Sequence, residues 1–352
     1  MVTPSTATAP LNEFYAQVEA LHLRPLWLHP TGGLPHEPDT VVQPFLWRWA
    51  DVRASILRAG ELVPVGREGA DRRVLTLVNP TVPGGRGTTR TLGAAVQLIY
   101  PGERAPSHRH TAAAIRFVIE GSGACTIVNG EPLTMEPGDF ILTPNWTWHG
   151  HIKETEGPII WLDVLDVPLV RTMNWMFYEE YPSGDVQPPE HGRDESLQRF
   201  GASGLRPATV VRGGPPYSPL LRYPWTEARA ALERLAAVEA SPFDGVLLSY
   251  VNPLTGGPVM PTMGAALQLL RPGEHTRAHR HTTNVIYHVA EGAGYSILNG
   301  QRFDWAKGDT FCVPTWTWHE HCADASGPAV LFSITDAPLL EALDLYREEA
   351  RP

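Results

Sequence analysis

The segments PGDFILTPNWTWHGH (137–151) and KGDTFCVPTWTWHEH (307–321) are two versions of one pattern, and an internal repeat of this length decides the fold. Upstream, PGERAPSHRHT (101–111) pairs with PGEHTRAHRHT (272–282), and EGSGACTIVNG (120–130) with EGAGYSILNG (291–300). Downstream, LDVPL (165–169) answers TDAPL (335–339). The offset is 171 residues at the HRH segment and 170 at WTWH, so two copies of one module lie in tandem.

Inside each copy the apolar runs are short, rich in Val, Ile and aromatics, and separated by Gly, Pro or Asn. Copy one supplies AAVQLIY (94–100), AIRFVIE (114–120), ACTIVNG (124–130), DFILTP (139–144) and IIWLDVL (159–165) as strands. Copy two supplies AALQLL (265–270), NVIYHVA (284–290), GYSILNG (294–300), DTFCVP (309–314) and AVLFSI (329–334). Asn129-Gly130 and Asn299-Gly300 each precede a new run, and Asn-Gly favours a tight hairpin because both residues tolerate positive φ. Many short strands joined by such turns predict a small antiparallel barrel or jelly roll in each copy, an all-β fold. Helices are expected at 11–23, from a Thr226 cap to about Glu239, and amphipathically over 339–350. The Pro/Gly-rich span 182–224 reads as the connection. The expected division is an N-terminal helical and extended segment (1–80), barrel one (81–181), a linker with a helix (182–240) and barrel two (241–352).

The 352-residue chain has a formal net charge of -10 and no basic block of the kind that tracks phosphates, which argues against nucleic acid and anionic membranes as partners. No apolar run approaches the roughly 20 residues needed to span a bilayer. Residues 1–10 are Thr/Ala/Pro-rich, without a basic-then-apolar secretory pattern, and read as a short disordered tail. Three cysteines (Cys125, Cys312 and Cys322) without CxxC spacing fit neither a disulfide framework nor a thiolate site. They point to a reducing cytoplasm, with Cys125 and Cys312 as small core residues.

Side chains at i and i+2 of a strand share a face, so His108 and His110 project together while Arg109 points away. His149 follows 39 residues after His110, beyond a Gly138-Asp139 turn and Pro144, and can complete one face of an octahedron. Copy two repeats this with His279, His281 and His319. A single His on an apolar face is usually a satisfied core residue; the recurrence of the whole pattern argues for ligands. Imidazole nitrogens suit iron, zinc, copper or nickel over magnesium or calcium.

The pattern G-x5-H-x-H, then GD-x4-P-x4-H, resembles the two motifs of the cupin superfamily. HRHT, PGDF…TPNWTWH and WLDVLDVPLV, with FLWRW (45–49), DRRVLTLVNP (71–80) and FDWAKGDTFCVPTWTWHEHC (303–322), resemble gentisate 1,2-dioxygenase and its salicylate and 1-hydroxy-2-naphthoate relatives. The similarity runs from about residue 11 to 347. The Glu that often supplies a fourth cupin ligand is absent, with Ala114 and Ile115 in its place, as in the gentisate-type enzymes. The resemblance implies a bicupin of two tandem double-stranded β-helix barrels with peripheral helices, an Fe(II) cofactor at His108, His110 and His149, and a homotetramer. It implies ring cleavage of gentisate with O2 to maleylpyruvate, the substrate carboxylate and adjacent hydroxyl chelating the metal. Salicylate or 1-hydroxy-2-naphthoate are alternative substrates, and a non-catalytic metal-binding bicupin is the alternative of a different class.

The copies differ where substrate chemistry would show. Arg116, on the same face as His110 by alternation, can clamp a carboxylate, and its counterpart is Tyr287. Asp163 becomes Ser333. In the family pattern Asp163 and His151 lie near the substrate hydroxyls, where they can accept or relay protons, and Arg72 approaches from the N-terminal segment. Gln97 belongs to the same pocket, but its counterpart Gln268 separates nothing. Alternatively, Arg72 and Arg73 form a solvated surface pair. Copy one is therefore expected to be catalytic, and copy two structural or metal-binding without turnover. The tryptophans at 146, 148, 316 and 318 are expected to pack the barrel mouths.

Overall fold

Each predicted strand forms, and most are buried along nearly their whole length, as continuous apolar runs between packed neighbours require. The computed structural model describes residues 8–29, 33–38, 41–65, 69–209 and 214–351. The chain falls into two units, Met1–Asp39 and Thr40–Pro352. The first contains a helix, Ala9–Ala20, with no buried residue, and a short turn of helix at Leu26–Leu28. The tail expected over 1–10 lies outside the described residues up to residue 7, and Ala9 and Pro10 already belong to the helix, Pro suiting its first turn.

The second unit carries both barrels, each made of a six-stranded and a five-stranded antiparallel sheet. In barrel one the larger sheet runs Arg222–Tyr223, Phe140–Thr143, Ala114–Glu120, Ile159–Leu165, Gly93–Ile99, Val74–Leu77. The smaller runs Tyr178–Glu180, Arg104–His110, His149–Lys153, Ala124–Val128, Glu131–Met135. Barrel two repeats this order with the strands of copy two, except that Phe45–Trp47 takes the place of Arg222–Tyr223. Asn129 and Gly130 sit at φ 45° and 82°, and Asn299 and Gly300 at 49° and 83°, as the hairpin reading required.

The repeat begins earlier than the strand motifs suggest. Helix Trp49–Leu62 and helix Trp225–Ala236 are counterparts, each preceded by a strand that joins the opposite repeat: Phe45–Trp47 pairs with Thr310–Val313 of barrel two, and Arg222–Tyr223 with Phe140–Thr143 of barrel one. The N–H of Trp49 donates to Asp309 Oδ1 (2.7 Å), and that of Trp225 to Asp139 Oδ1 (3.0 Å). Trp225 lies on Gly138 and Trp49 on Gly308, where an added Cβ would meet the indole at 2.5 Å. The bodies of the helices return to their own barrels, through Arg53 on Glu120 and Arg229 on Glu291. Reciprocal bonds from Thr91 to Asp336 (2.5 Å) and Thr262 to Asp166 (2.6 Å) complete an approximate two-fold relation. One core joins the barrels, with Phe117 stacked on Phe332 at 4.3 Å between centroids.

Three local expectations are corrected. Thr226 is not a cap: Pro224 holds that position, the helix is Trp225–Ala236, and Asp139 satisfies its first N–H from a distant strand. The C-terminal stretch is not one helix. Ala337–Ala342 is helical, but Glu348–Ala350 forms an edge strand on His279–His281, since pairing there satisfies backbone groups that an exposed helix would leave on the barrel rim. The connection contains a helix, Glu195–Phe200, as well as the strand at 222–223. No helix among the described residues is long and apolar enough to cross a membrane.

Candidate active site

His108 and His110 lie on one face of Arg104–His110, and His149 opens the neighbouring strand with its Cα paired to His108. A register shift between Ala105 and His108 turns this stretch of strand. One donor atom from each imidazole lies within 4.8 Å of the others. Their Nδ1 atoms are engaged elsewhere: His110 with Ala112 O (2.7 Å), His149 with Thr147 O (3.0 Å), and His108 with Tyr178 Oη (3.2 Å). A carbonyl accepts only from an N–H, so in His110 and His149 the proton sits on Nδ1 and the Nε2 lone pair is free for a cation. Burial, reinforced by nearby arginine and histidine charges, lowers His108 to about 2, His110 to about 4 and His149 well below the usual range. The triad is thus neutral, the form that binds metal.

Beside it stands a polar array. Arg116 and Asp163 face each other across adjacent strands, Nε to Oδ1 at 3.0 Å, both buried. Trp161 Nε1 donates to Asp163 Oδ2 (3.0 Å), and Arg116 Nη1 donates to Thr143 Oγ1. The 3.0 Å approach is an ion pair without a directed hydrogen bond, so Arg116 Nε remains unsatisfied. Burial raises Asp163, and Arg116 opposes that rise. Arg72 Nη2 donates to the His149 carbonyl (3.2 Å), and Arg72 Nη1 is buried without a partner. Burial, then the charge of Arg116, lowers Arg72 to about 10. The solvated-pair alternative fails, since Arg73 is also buried, on Glu103 at 2.6 Å. His151 follows His149 on the same strand and the same face, fully buried, with Nδ1 on Thr126 Oγ1 (2.9 Å) and Nε2 unpartnered. Burial, then Arg116, Arg72 and His108, hold it well below its ordinary value, so its imidazole is neutral. Gln97 is buried opposite Trp161.

Three members of this site escaped the sequence reading. Trp161 and Thr143 become Leu331 and Val313 in copy two, so comparing the copies position by position would have exposed them. Tyr178 becomes Glu348 and comes from a short edge strand without periodic signal. The tryptophans flank an arginine at each mouth, Trp146 and Trp148 on Arg109, Trp316 and Trp318 on Arg280.

In barrel two the triad His279, His281 and His319 meets the same distance criterion. A cavity of about 560 Å³ opens on His279 and His281, lined among others by Asp244, Gln268, Tyr287 and Ser333.

The cupin domain family matches residues 95–165 and 266–335. A 5-aminosalicylate 1,2-dioxygenase of Comamonas sp is 41% identical, covering 99% of this chain and 93% of the relative. A gentisate 1,2-dioxygenase of Streptomyces sp is 40% identical over 96% of this chain and 94% of its own. The chain belongs to the gentisate 1,2-dioxygenase family. Among solved structures, salicylate 1,2-dioxygenase from Pseudoaminobacter salicylatoxidans, crystallised as adducts with gentisate, superposes with a TM-score of 0.90 at 34% identity, covering 99% of this chain and 97% of that one. As a member of the gentisate 1,2-dioxygenase family the chain is a bicupin ring-cleaving dioxygenase, an oxidoreductase that incorporates both atoms of O2.

Proposed function

We propose that barrel one cleaves the ring of gentisate, 2,5-dihydroxybenzoate, with O2, using iron(II) held by His108, His110 and His149. The observation that carries this reading is Arg72 Nη1, a buried guanidinium donor without a partner, standing with the Arg116–Asp163 ion pair beside three neutral imidazoles. A carboxylated ring is the ligand that such a donor lacks, and barrel two carries Gly245 and Tyr287 where barrel one has Arg72 and Arg116. The donor set fits: three imidazoles with Nδ1 engaged present nitrogen ligands to a transition metal and leave its charge uncompensated. When bound, iron(II) would supply a chelation point for the carboxylate and adjacent hydroxyl and a route for electrons from ring to O2.

The chain's own groups do the rest. Arg116, held by Asp163 and Thr143, and Arg72, held on the His149 carbonyl, orient the carboxylate by charge-assisted hydrogen bonds. Asp163 and Trp161 fix the guanidinium so that little reorganisation is needed on binding. Neutral His151, with Nε2 available, can accept the proton of a ring hydroxyl. The bond between the carboxyl-bearing and hydroxyl-bearing carbons breaks, both oxygen atoms enter the product, and maleylpyruvate results. A non-catalytic metal-binding bicupin leaves unexplained why the Arg116–Asp163–Trp161–Thr143 array stands beside one triad only.

The test is anaerobic loading with iron(II), then gentisate and air. One O2 consumed per gentisate, with a near-ultraviolet ring-opened product absent in His108→Ala, is the expected result. Parallel runs with 5-aminosalicylate, salicylate and 1-hydroxy-2-naphthoate set the substrate. Iron binding without uptake on any of the four would overturn the reading.

A further inference from the structure

A further histidine follows the last member of each triad by two residues, His151 after His149 and His321 after His319. Both are buried, and both hold Nδ1 against a hydroxyl on the neighbouring strand. The partner is Thr126 Oγ1 at 2.9 Å in barrel one and Ser296 Oγ at 2.7 Å in barrel two. A hydroxyl and a neutral imidazole nitrogen can meet in either sense, the hydroxyl donating or accepting. The third member of each relay differs. In barrel one Met135 Sδ lies 3.1 Å from Thr126 Oγ1. At the equivalent position of barrel two stands Trp305, its Nε1 2.9 Å from Ser296 Oγ.

A thioether only accepts and an indole N–H only donates, so the two relays run in opposite directions. Beside Met135 the Thr126 hydroxyl donates to sulfur and accepts from His151 Nδ1–H, and every buried hydrogen of the relay has an acceptor. The reverse sense leaves the sulfur unused and strands a hydrogen on His151 Nε2, which is buried without a partner. Beside Trp305 the indole donates to Ser296 Oγ, and among the described residues the one acceptor for that hydroxyl's own hydrogen is His321 Nδ1. Either sense strands one hydrogen here, on Ser296 Oγ or on His321 Nε2. The continuous chain from Trp305 through Ser296 to His321 is the stronger of the two, because each donor polarises the next.

We infer that Met135 is a positioning residue: through Thr126 it holds His151 in the tautomer with a lone pair on Nε2, and Trp305 gives His321 the opposite tautomer, with an N–H at Nε2. This rests on the proton-accepting role proposed above for His151 and supplies what makes that role available, since only a lone pair can take a hydroxyl proton. At the matching place barrel two offers a donor.

Long-range proton–nitrogen correlation spectra of the full-length chain, metal-free and isotope-labelled at its histidine nitrogens, read the protonated atom of each ring. His151→Gln and His321→Gln assign the two signals. Expected are a proton on Nδ1 in His151 and on Nε2 in His321. Met135→Leu keeps the side-chain volume, removes the acceptor and moves the His151 tautomer ratio about fivefold or more toward Nε2–H. Met135→Ile serves if Met135→Leu melts early. Thr126→Ser keeps the hydroxyl and leaves the ratio as in wild type. In the iron-loaded enzyme, Met135→Leu lowers kcat for gentisate in proportion to the lone-pair fraction that the spectra give, with KM unchanged. The spectra report the rings whether or not gentisate is turned over, so an inactive wild type with the expected tautomers sinks the proposed reaction and not the relay. A proton on the same nitrogen in both rings, a His151 ratio unmoved by Met135→Leu, or an unchanged kcat beside a shifted ratio overturns the inference.

Discussion

Arg116 is a buried cation whose neighbours were chosen for it, so its removal has two separable effects. Arg116→Leu leaves Asp163 charged, buried and unpaired, which costs about 3–5 kcal/mol of stability. Arg116→Leu/Asp163→Leu removes both charges and is expected to recover most of the melting temperature while kcat/KM for a carboxylated substrate stays at least ~100-fold down. Recovery of both together would show that Arg116 acts through folding alone. Tyr178→Phe removes the hydroxyl from His108 Nδ1 (3.2 Å) and is expected to weaken iron binding about fivefold, read by competition with a chelator. Strand alternation put His108, His110 and Arg116 on one face, since two-residue spacing fixes which face a side chain takes, whereas His149 came from the repeated motif and Asp163 from the difference between the copies and the family pattern. Alternation could not find Tyr178, which reaches the site from a segment whose approach is decided by chain folding and not by local period.

The helices Trp49–Leu62 and Trp225–Ala236 are held at their starts by the repeat to which their bodies do not belong. Gly138 and Gly308 make this possible, at φ +83° and +91° with an indole against each α-carbon. Gly138→Ala adds backbone strain of about 1 kcal/mol or more and a clash with Trp225, so a drop of roughly 2–4 kcal/mol in unfolding free energy is expected, with a matching loss for Gly308→Ala. Urea titration of both variants checks it, and a large effect at one site only would break the equivalence. The same arrangement explains which element ends were readable. Strand ends follow from Gly, Pro and Asn in the sequence itself. The start at Trp225 depends on a carboxylate 86 residues away, and the helix expected over 339–350 gives way after Ala342 to an edge strand against His279–His281.

At the scale of the whole molecule, the repeat was visible as two copies, but their interlocking was not: nothing in FLWRW announces that it completes the other barrel. The two barrels hold several buried or half-buried histidines in neutral form. Desolvation lowers His110 and His281 to about 4, and His288 and His321 to about 3, against 6.5 in the unfolded chain. Between those values the unfolded chain binds more protons than the folded one, so stability rises with pH. The metal-free protein should therefore hold its melting temperature above about pH 7 and lose it progressively as pH falls below 6.5 toward 4. A flat melting profile across that range would contradict the buried, neutral assignment.

The strand Phe45–Trp47 has its partner at Thr310–Val313, and Arg48 meets Asp309 across 261 residues of chain. During synthesis these early residues leave the ribosome long before anything exists for them to pair with. Barrel one can close as soon as Arg222 and Tyr223 emerge, whereas barrel two cannot finish without a strand made at the outset and kept unpaired in the meantime. Translation therefore imposes an order of assembly on the two barrels, with the apolar Phe-Leu-Trp segment waiting for a partner made much later.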